Sequence, residues 1–175
     1  MNQKTAMKLF GLLGLLMLLS CGYADRHRNS SSCEQALVDS LEVRVQDSLF
    51  SNVHYSRSQL LEALTQTQDS LVYYRLLALY GKTFFVSSDF DSILYYNRRV
   101  KEFSRNASQS SESLQSPRWN DVLSDVYNIE GNVWMQLNRP DSAIIDYKKA
   151  YGYRLEGKKL HLLPDICINI ADAYL

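Results

Sequence analysis

The chain contains little glycine and proline, no apolar run long enough to cross a bilayer and no cluster of one charge sign. Its 175 residues include 7 glycines and 3 prolines, and no stretch alternates polar and apolar residues over the length of a strand. This composition predicts an all-helical protein. Lys and Arg together number 19, and so do Asp and Glu. Because the basic residues form no run that could neutralise phosphates, we expect no nucleic-acid binding by this segment.

The sequence also lacks the motifs of the common catalytic and metal sites. It has no phosphate-binding glycine-rich loop, no G-x-S-x-G motif and no H-E-x-x-H motif. His27, His54 and His161 are far apart and have no metal-ligand spacing with one another or with the cysteines. We therefore predict a protein that is not an enzyme and uses no cofactor or metal.

The N-terminus has the pattern of an export signal. Lys4 and Lys8 precede an apolar run, Leu9 to Leu19, which is shorter than the ~20 residues of a membrane-spanning helix but typical of a signal peptide. The run ends in Leu-Leu-Ser-Cys at 18–21, which resembles a bacterial lipobox. The resemblance implies a lipoprotein signal peptide over residues 1–20 and a lipid anchor, such as palmitate, on Cys21 at the periplasmic side of an envelope membrane. Ordinary cleavage of a secreted protein, with an incidental Cys21, is the alternative.

Residues 21–33 are largely polar and predict a flexible tether. The other two cysteines are Cys33 and Cys167. An oxidising periplasm would permit a disulfide between them. Because Cys33 lies in the tether and Cys167 in a predicted helix, we expect two free thiols.

Apolar spacing predicts a leading helical hairpin over residues 34–66. Its second helix covers about 58–66, with Ser58 as the predicted N-cap. Its first helix has four apolar residues spaced four apart, as on one helix face: Leu37, Leu41, Val45 and Leu49.

Denser helical segments follow at 69–105, 117–157 and 164–175, and a serine-rich loop at 106–116 separates the first two. Ser116-Pro117 predicts a helix start, since proline at the first helical position loses only an amide that has no helical partner. Turns are predicted at 87–89 and 138–140, and Asp141 is the predicted N-cap after the second turn.

One spacing pattern recurs in these segments. It is Y-x3-G-x2-W-x8-A-x3-Y-x2-A in its second copy, which resembles the tetratricopeptide repeat pattern W-x2-L-G-x2-Y followed by A-x3-F-x2-A. Glu130 stands where the family has leucine. The glycine would let two helices approach closely, the next aromatic would fill the space beside it, and the small residue of the second helix would receive that ring. The matching residues are Gly81 and Phe84 in the first copy, Tyr127, Gly131, Trp134, Ala143, Tyr147 and Ala150 in the second, and Ala171 and Tyr174 in the third.

The resemblance covers about residues 70–175. It implies an all-α fold of antiparallel helical hairpins stacked as a right-handed solenoid, and a generic helical bundle is the alternative. The third copy stops after Tyr174, so we expect the repeat to continue beyond Leu175.

Tetratricopeptide arrays bind partners in a groove lined by the first helix of each repeat. The set of groove positions in this chain lacks the Lys/Arg and Asn residues with which some family members hold a C-terminal carboxylate, so we do not expect that ligand. Solvated surface is the alternative interpretation for any one position. By the resemblance, the groove residues are Arg75, Ala78, Lys82, Phe85, Asp125, Asn128, Asn132, Met135, Asp165, Ile168 and Asp172.

An Asp-Ser-apolar triplet occurs five times and has two interpretations. It is typical of a helix start, because Asp and Ser accept hydrogen bonds from free amides. This fits the triplets at 69, 91 and 141 but not those at 39 and 47, which lie within a predicted helix. The triplets also resemble acceptor sites of a bacterial periplasmic O-glycosylation system, which would modify Ser40, Ser48, Ser70, Ser92 and Ser142.

The sequence therefore predicts a lipid-anchored envelope protein that binds a protein or peptide through a tetratricopeptide groove. The alternative is the periplasmic sensor portion of a membrane-spanning transcriptional regulator or signalling protein, with its remaining parts beyond Leu175. About 20 apolar residues followed by a helix-turn-helix pattern after that position would favour the alternative.

Overall fold

In the computed structural model, residues 35–45, 47, 51–107 and 116–175 are described, and they form helices and turns with no β-strand among them. The predicted all-helical fold is confirmed for this part of the chain. The predicted signal peptide, Cys21, the tether and Ser48 lie outside it. The helices are α1 (35–45), α2 (Val53–Gln66), α3 (Ser70–Lys82), α4 (Phe90–Ala107), α5 (Pro117–Gln136), α6 (Pro140–Leu155) and α7 (Leu163–Tyr174), with short 3-10 helices at Thr83–Ser87 and Leu160–Leu162.

Two predicted helix starts have the expected caps. The Asp69 carboxylate accepts hydrogen bonds from the backbone amides of Leu71 and Val72 at 2.8 and 3.1 Å. The Ser116 hydroxyl accepts a hydrogen bond from the Trp119 amide, and a proline occupies the first turn of α5. Both caps satisfy amides that have no partner within the helix.

Other predicted helix boundaries were wrong. Helix α2 begins at Val53 because the Asn52 side chain caps it, and Ser58 lies inside the helix, where its hydroxyl donates to the carbonyl of Tyr55. Helix α4 extends through residues 106 and 107, which were predicted to be loop.

The triplets at 91 and 141 do not supply caps. Asp89, not Asp91, accepts the hydrogen bond from the Ser92 amide at 3.1 Å. Helix α6 has no side-chain cap; Pro140 is in its first turn, and Asp141 lies one residue inside the helix. Proline presets the helical φ angle and needs no amide partner there, so the helix starts without a capping side chain.

Helices α3 and α4 pack antiparallel, and so do α5 and α6. Between α3 and α4, the Tyr74 and Phe103 rings stack with their centroids 4.0 Å apart, and Gly81 lies against Tyr96 at the other end of the helix pair. Between α5 and α6, Tyr127 stacks on Tyr153 at 5.7 Å, and Gly131 lies against Tyr147. In both pairs, a residue near the end of the first helix contacts a residue near the start of the second, as in any antiparallel pair.

The leading hairpin packs on α3 through a core of Val38, Leu41, Leu60, Val72 and Leu76. The predicted face of α1 was partly wrong, because Leu37 is 48% exposed. A helix turns ~100° per residue, so a spacing of exactly four drifts by ~40° at each step. The face that stays buried alternates steps of three and four, and it runs from Val38 through Leu41 to Val45.

Within the described ranges, no helix has the length and apolar character needed to cross a membrane.

Candidate functional site

A cavity of about 410 Å³ lies between α1, α3, α5 and the linker that joins α6 to α7. Its walls are mostly apolar, which is typical of ligand-binding pockets, and charged side chains surround them. The apolar lining residues are Val38, Val43, Ala78, Leu79, Val122, Val126, Ile129 and Leu162, and the charged or titratable ones are Asp39, Glu42, Arg75, Lys82, Arg118, Asp121, Asp125, Lys158, Lys159 and His161.

Ion pairs hold α1 in place as one wall of this cavity. The Asp39 carboxylate accepts hydrogen bonds from Arg75 of α3 at 2.8 Å and from Arg118 of α5 at 3.0 Å. Glu42, one turn later, pairs with Lys159 of the linker and lies 3.9 Å from Arg75. Arg75 is 6% exposed in its side chain, so its guanidinium requires these acceptors.

A buried carboxylate holds the linker. One Asp121 oxygen accepts hydrogen bonds from the Arg154 guanidinium at 2.8 Å and from the Lys159 amide at 3.1 Å, and the other accepts from the Lys158 amide at 3.0 Å. A Cβ atom at Gly157 would overlap the Asp121 carboxylate, so the linker needs glycine there. Arg154 also pairs with Asp125, and its own side chain is 2% exposed.

The lining carboxylates are thus all paired, whereas some lining cations are not. Among the described residues, the ammonium groups of Lys82 and Lys158 have no ion-pair partner. Lys82 is half-buried on α3, and Lys158 and His161 are exposed on the linker. The charges left unpaired in the cavity are therefore basic.

The structure brings part of the predicted groove together. Arg75, Ala78, Lys82 and Asp125 line the cavity. The other predicted groove residues lie outside its lining. Phe85 and Met135 pack against apolar clusters, Asn128 accepts a hydrogen bond from Asn169, Asn132 accepts one from the Tyr147 hydroxyl, and Asp165, Ile168 and Asp172 are exposed on α7.

The repeat residues of the second copy lie at a close helix contact. A Cβ atom on Gly131 would lie 2.8 Å from Cζ of Tyr147 and closer still to two other ring atoms, so this ring fills the space left by the glycine. Trp134 packs beside Ala143, and its indole nitrogen donates to Asp146 at 2.8 Å. Burial raises the pKa of Tyr147 to about 12.

In the other two copies the contacts differ. A Cβ atom on Gly81 would lie 2.9 Å from Cβ of Tyr96, and Phe84 stacks on the Tyr96 ring at 5.6 Å. Asn97 follows Gly81 at the same spacing as Tyr147 follows Gly131; it is fully buried and donates to the Val126 carbonyl. Ala171 and Tyr174 of the third copy are exposed.

Glu130, which departs from the repeat pattern, is a buried carboxylate between α4 and α5. Burial raises its pKa above the ordinary value of 4.5, although the Lys101 ammonium at 2.6 Å opposes the shift. Lys101 also lies 5.2 Å from the centre of the Tyr127 ring, whose pKa burial raises to about 12.

Sequence reasoning missed the contribution of α1 and of the linker to the cavity. Asp39, Glu42 and Lys159 reach it from segments about 120 residues apart, and no local pattern joins them. Arg118 and Asp121 could have been found, because they share a face of α5 with the predicted Asp125 at spacings of three and four.

The remaining candidate residues are scattered. Ser40 and Ser70 are exposed, whereas Ser142 is half-buried and the half-buried Ser92 hydroxyl donates to Asp89 at 2.7 Å. Cys167 is free and exposed, and Cys33 lies outside the described ranges. In the described part of the chain, no group of three His, Cys, Asp or Glu side chains could hold a metal ion.

Comparisons with protein-family models, with curated proteins and with solved structures found no match to this chain.

Proposed function

We propose that this chain is a tetratricopeptide-like helical-repeat protein that binds a peptide or protein segment without catalysis, held at an envelope membrane by a lipid on Cys21. The cavity between α1, α3 and α5 carries the binding part of the proposal. These are the first helices of successive hairpins, which is where a repeat array would hold its partner.

Similar contacts in the α3–α4 and α5–α6 hairpins support the repeat assignment. Gly81 and Gly131 are 50 residues apart, and each lies against an aromatic residue of the next helix: Gly81 against Cβ of Tyr96, and Gly131 against the ring of Tyr147. Phe103 and Tyr153, also 50 apart, each stack on a tyrosine of the preceding helix. Glycine and aromatic contacts at similar places in successive hairpins are expected of stacked repeats.

The chemistry of the cavity favours binding over catalysis. Its carboxylates are engaged in ion pairs or backbone hydrogen bonds, so none of them is free to act as a general base. Apolar walls with a few charged groups around them suit recognition of side chains.

Photo-crosslinking in the source cells tests the binding site. A benzoylphenylalanine in place of Ala78 should crosslink one defined protein, whereas the same residue in place of Gly152, on the exposed side of α6, should not. Equal crosslinking from both positions, or none from Ala78, would contradict a partner in this cavity.

Fatty-acid labelling tests the anchor. Wild-type protein expressed in a Gram-negative host should incorporate an alkyne fatty acid and fractionate with membranes, and Cys21→Ala should lose both properties. An unlabelled, soluble wild-type product would contradict the anchor and leave the binding proposal standing.

A further inference from the structure

We propose that the occupant of the cavity is a short peptide segment that combines apolar side chains with spaced carboxylates. This inference rests on the proposed binding function and specifies the chemistry of the partner. It starts from the charges that the cavity leaves unpaired.

The acidic lining residues already have partners. Asp39 is shared by two arginines, Glu42 pairs with Lys159, and Asp121 and Asp125 share Arg154. A basic ligand would compete for these carboxylates, and displacement of Arg75 or Arg154 would leave a buried guanidinium without its partner, which is costly. Cationic partners are therefore disfavoured.

The basic lining residues offer more charge than these acids use. Among the described residues, Lys82 and Lys158 have no carboxylate partner, and each can pair with a ligand carboxylate at no cost to the existing contacts. The half-buried position of Lys82 beside apolar walls also makes its charge less screened than that of an exposed lysine.

The position of the two lysines favours a peptide over a simple fatty acid. Lys82 is the last residue of α3, and Lys158 belongs to the linker after α6, so they approach the cavity from different elements. A ligand with two carboxylates and apolar groups between them can pair with both lysines while it contacts the apolar walls. Acidic residues separated by leucine-like residues in a peptide supply this arrangement.

Isothermal titration of the purified protein tests the inference with three capped hexapeptides: alternating leucine and glutamate, leucine and glutamine, and leucine and lysine. The glutamate peptide should bind about three- to tenfold more tightly than the glutamine peptide, and the lysine peptide most weakly, since accessible charge pairs contribute modestly. Raising the salt concentration should reduce the difference.

Single substitutions test whether the two lysines cause the preference for the glutamate peptide. Lys82→Gln and Lys158→Gln should each reduce the preference for the glutamate peptide, and Arg98→Gln, which removes an exposed charge from α4 outside the lining, should not. Ala78→Trp, which fills the cavity, should abolish binding of all three peptides.

The outcomes separate this inference from the proposed function. Equal affinity for the three peptides, with loss in Ala78→Trp, would overturn the charge preference and leave the groove intact. Absence of binding to any of them would overturn the peptide chemistry, and crosslinking from position 78 would decide the groove independently. Binding of dodecanoate with the same Lys82 dependence, without peptide binding, would overturn the peptide in favour of a free carboxylic acid.

Discussion

Alanine substitutions at two glycines should have opposite effects on stability. Gly131 and Gly152 both lie in helix interiors, where alanine is more favourable than glycine by ~1 kcal/mol. A Cβ atom at Gly152 would meet nothing within 4 Å, whereas at Gly131 it would overlap the Tyr147 ring. The pair therefore isolates the cost of the close helix contact.

The magnitude follows from the immobility of the ring. Tyr147 is 2% exposed and its hydroxyl donates to Asn132 at 2.8 Å, so the ring cannot turn away without losing packing and a hydrogen bond. Overpacking costs ~1–3 kcal/mol, and an overlap with several ring atoms belongs at the upper end. After the gain in helix propensity, Gly131→Ala should destabilise by ~2 kcal/mol, while Gly152→Ala should stabilise by ~0.5–1 kcal/mol.

Urea unfolding followed by circular dichroism measures both changes. A double-mutant cycle assigns the cause: in a Tyr147→Ala background, Gly131→Ala should become neutral or stabilising, because the clashing ring is gone. If Gly131→Ala were as stable as Gly152→Ala in the wild-type background, or if its cost survived removal of the ring, the close α5–α6 contact would be refuted.

Three further predictions concern single groups. Because burial raises the pKa of Glu130, the folded state binds its proton more tightly, so the contribution of Glu130 to stability should fall as pH rises from 4.5 through the raised value. Glu130→Gln should flatten this dependence in urea titrations at a series of pH values, and an unchanged profile would contradict it. Asp121→Asn should destabilise by ~3 kcal/mol, the lower end for a broken buried ion pair, because Arg154 keeps its second partner Asp125; Asp91→Asn on the exposed surface should change the free energy of unfolding little. Ser116→Ala should cost ~1 kcal/mol through loss of the α5 cap, whereas Ser58→Ala inside α2 should be nearly neutral; equal thermal shifts for the two would refute the cap assignment.

The parts of the fold that depend on local chemistry could be predicted from sequence. Asp69 and Ser116 cap their helices because a side chain reaches amides two or three residues away, which is a property of the sequence alone. Asp141 failed as a cap because Pro140, one residue earlier, starts the helix by fixing its own φ angle. The proline and the aspartate both predict a helix start, and the helix begins at the proline because it comes first in the sequence.

The parts that depend on distant segments could not be predicted. The glycine and aromatic positions of the second repeat copy anticipated the α5–α6 contact, since one pattern encodes both sides. The cavity instead needs Glu42 beside Lys159, residues that are 117 positions apart in the sequence. Their pairing depends on how α1 and the linker approach α5, which no spacing in the sequence specifies.

Asp121 connects the stability of the fold to the shape of the cavity. Its carboxylate holds the backbone of Lys158 and Lys159, and in this placement the Lys159 side chain reaches Glu42 on α1. Loss of Asp121 should therefore change both the free energy of unfolding and ligand binding. Lys82, which has no ion-pair partner among the described residues, can change binding alone. The basic side chains of the cavity that pair with no carboxylate of the fold are thus the ones available to select a ligand.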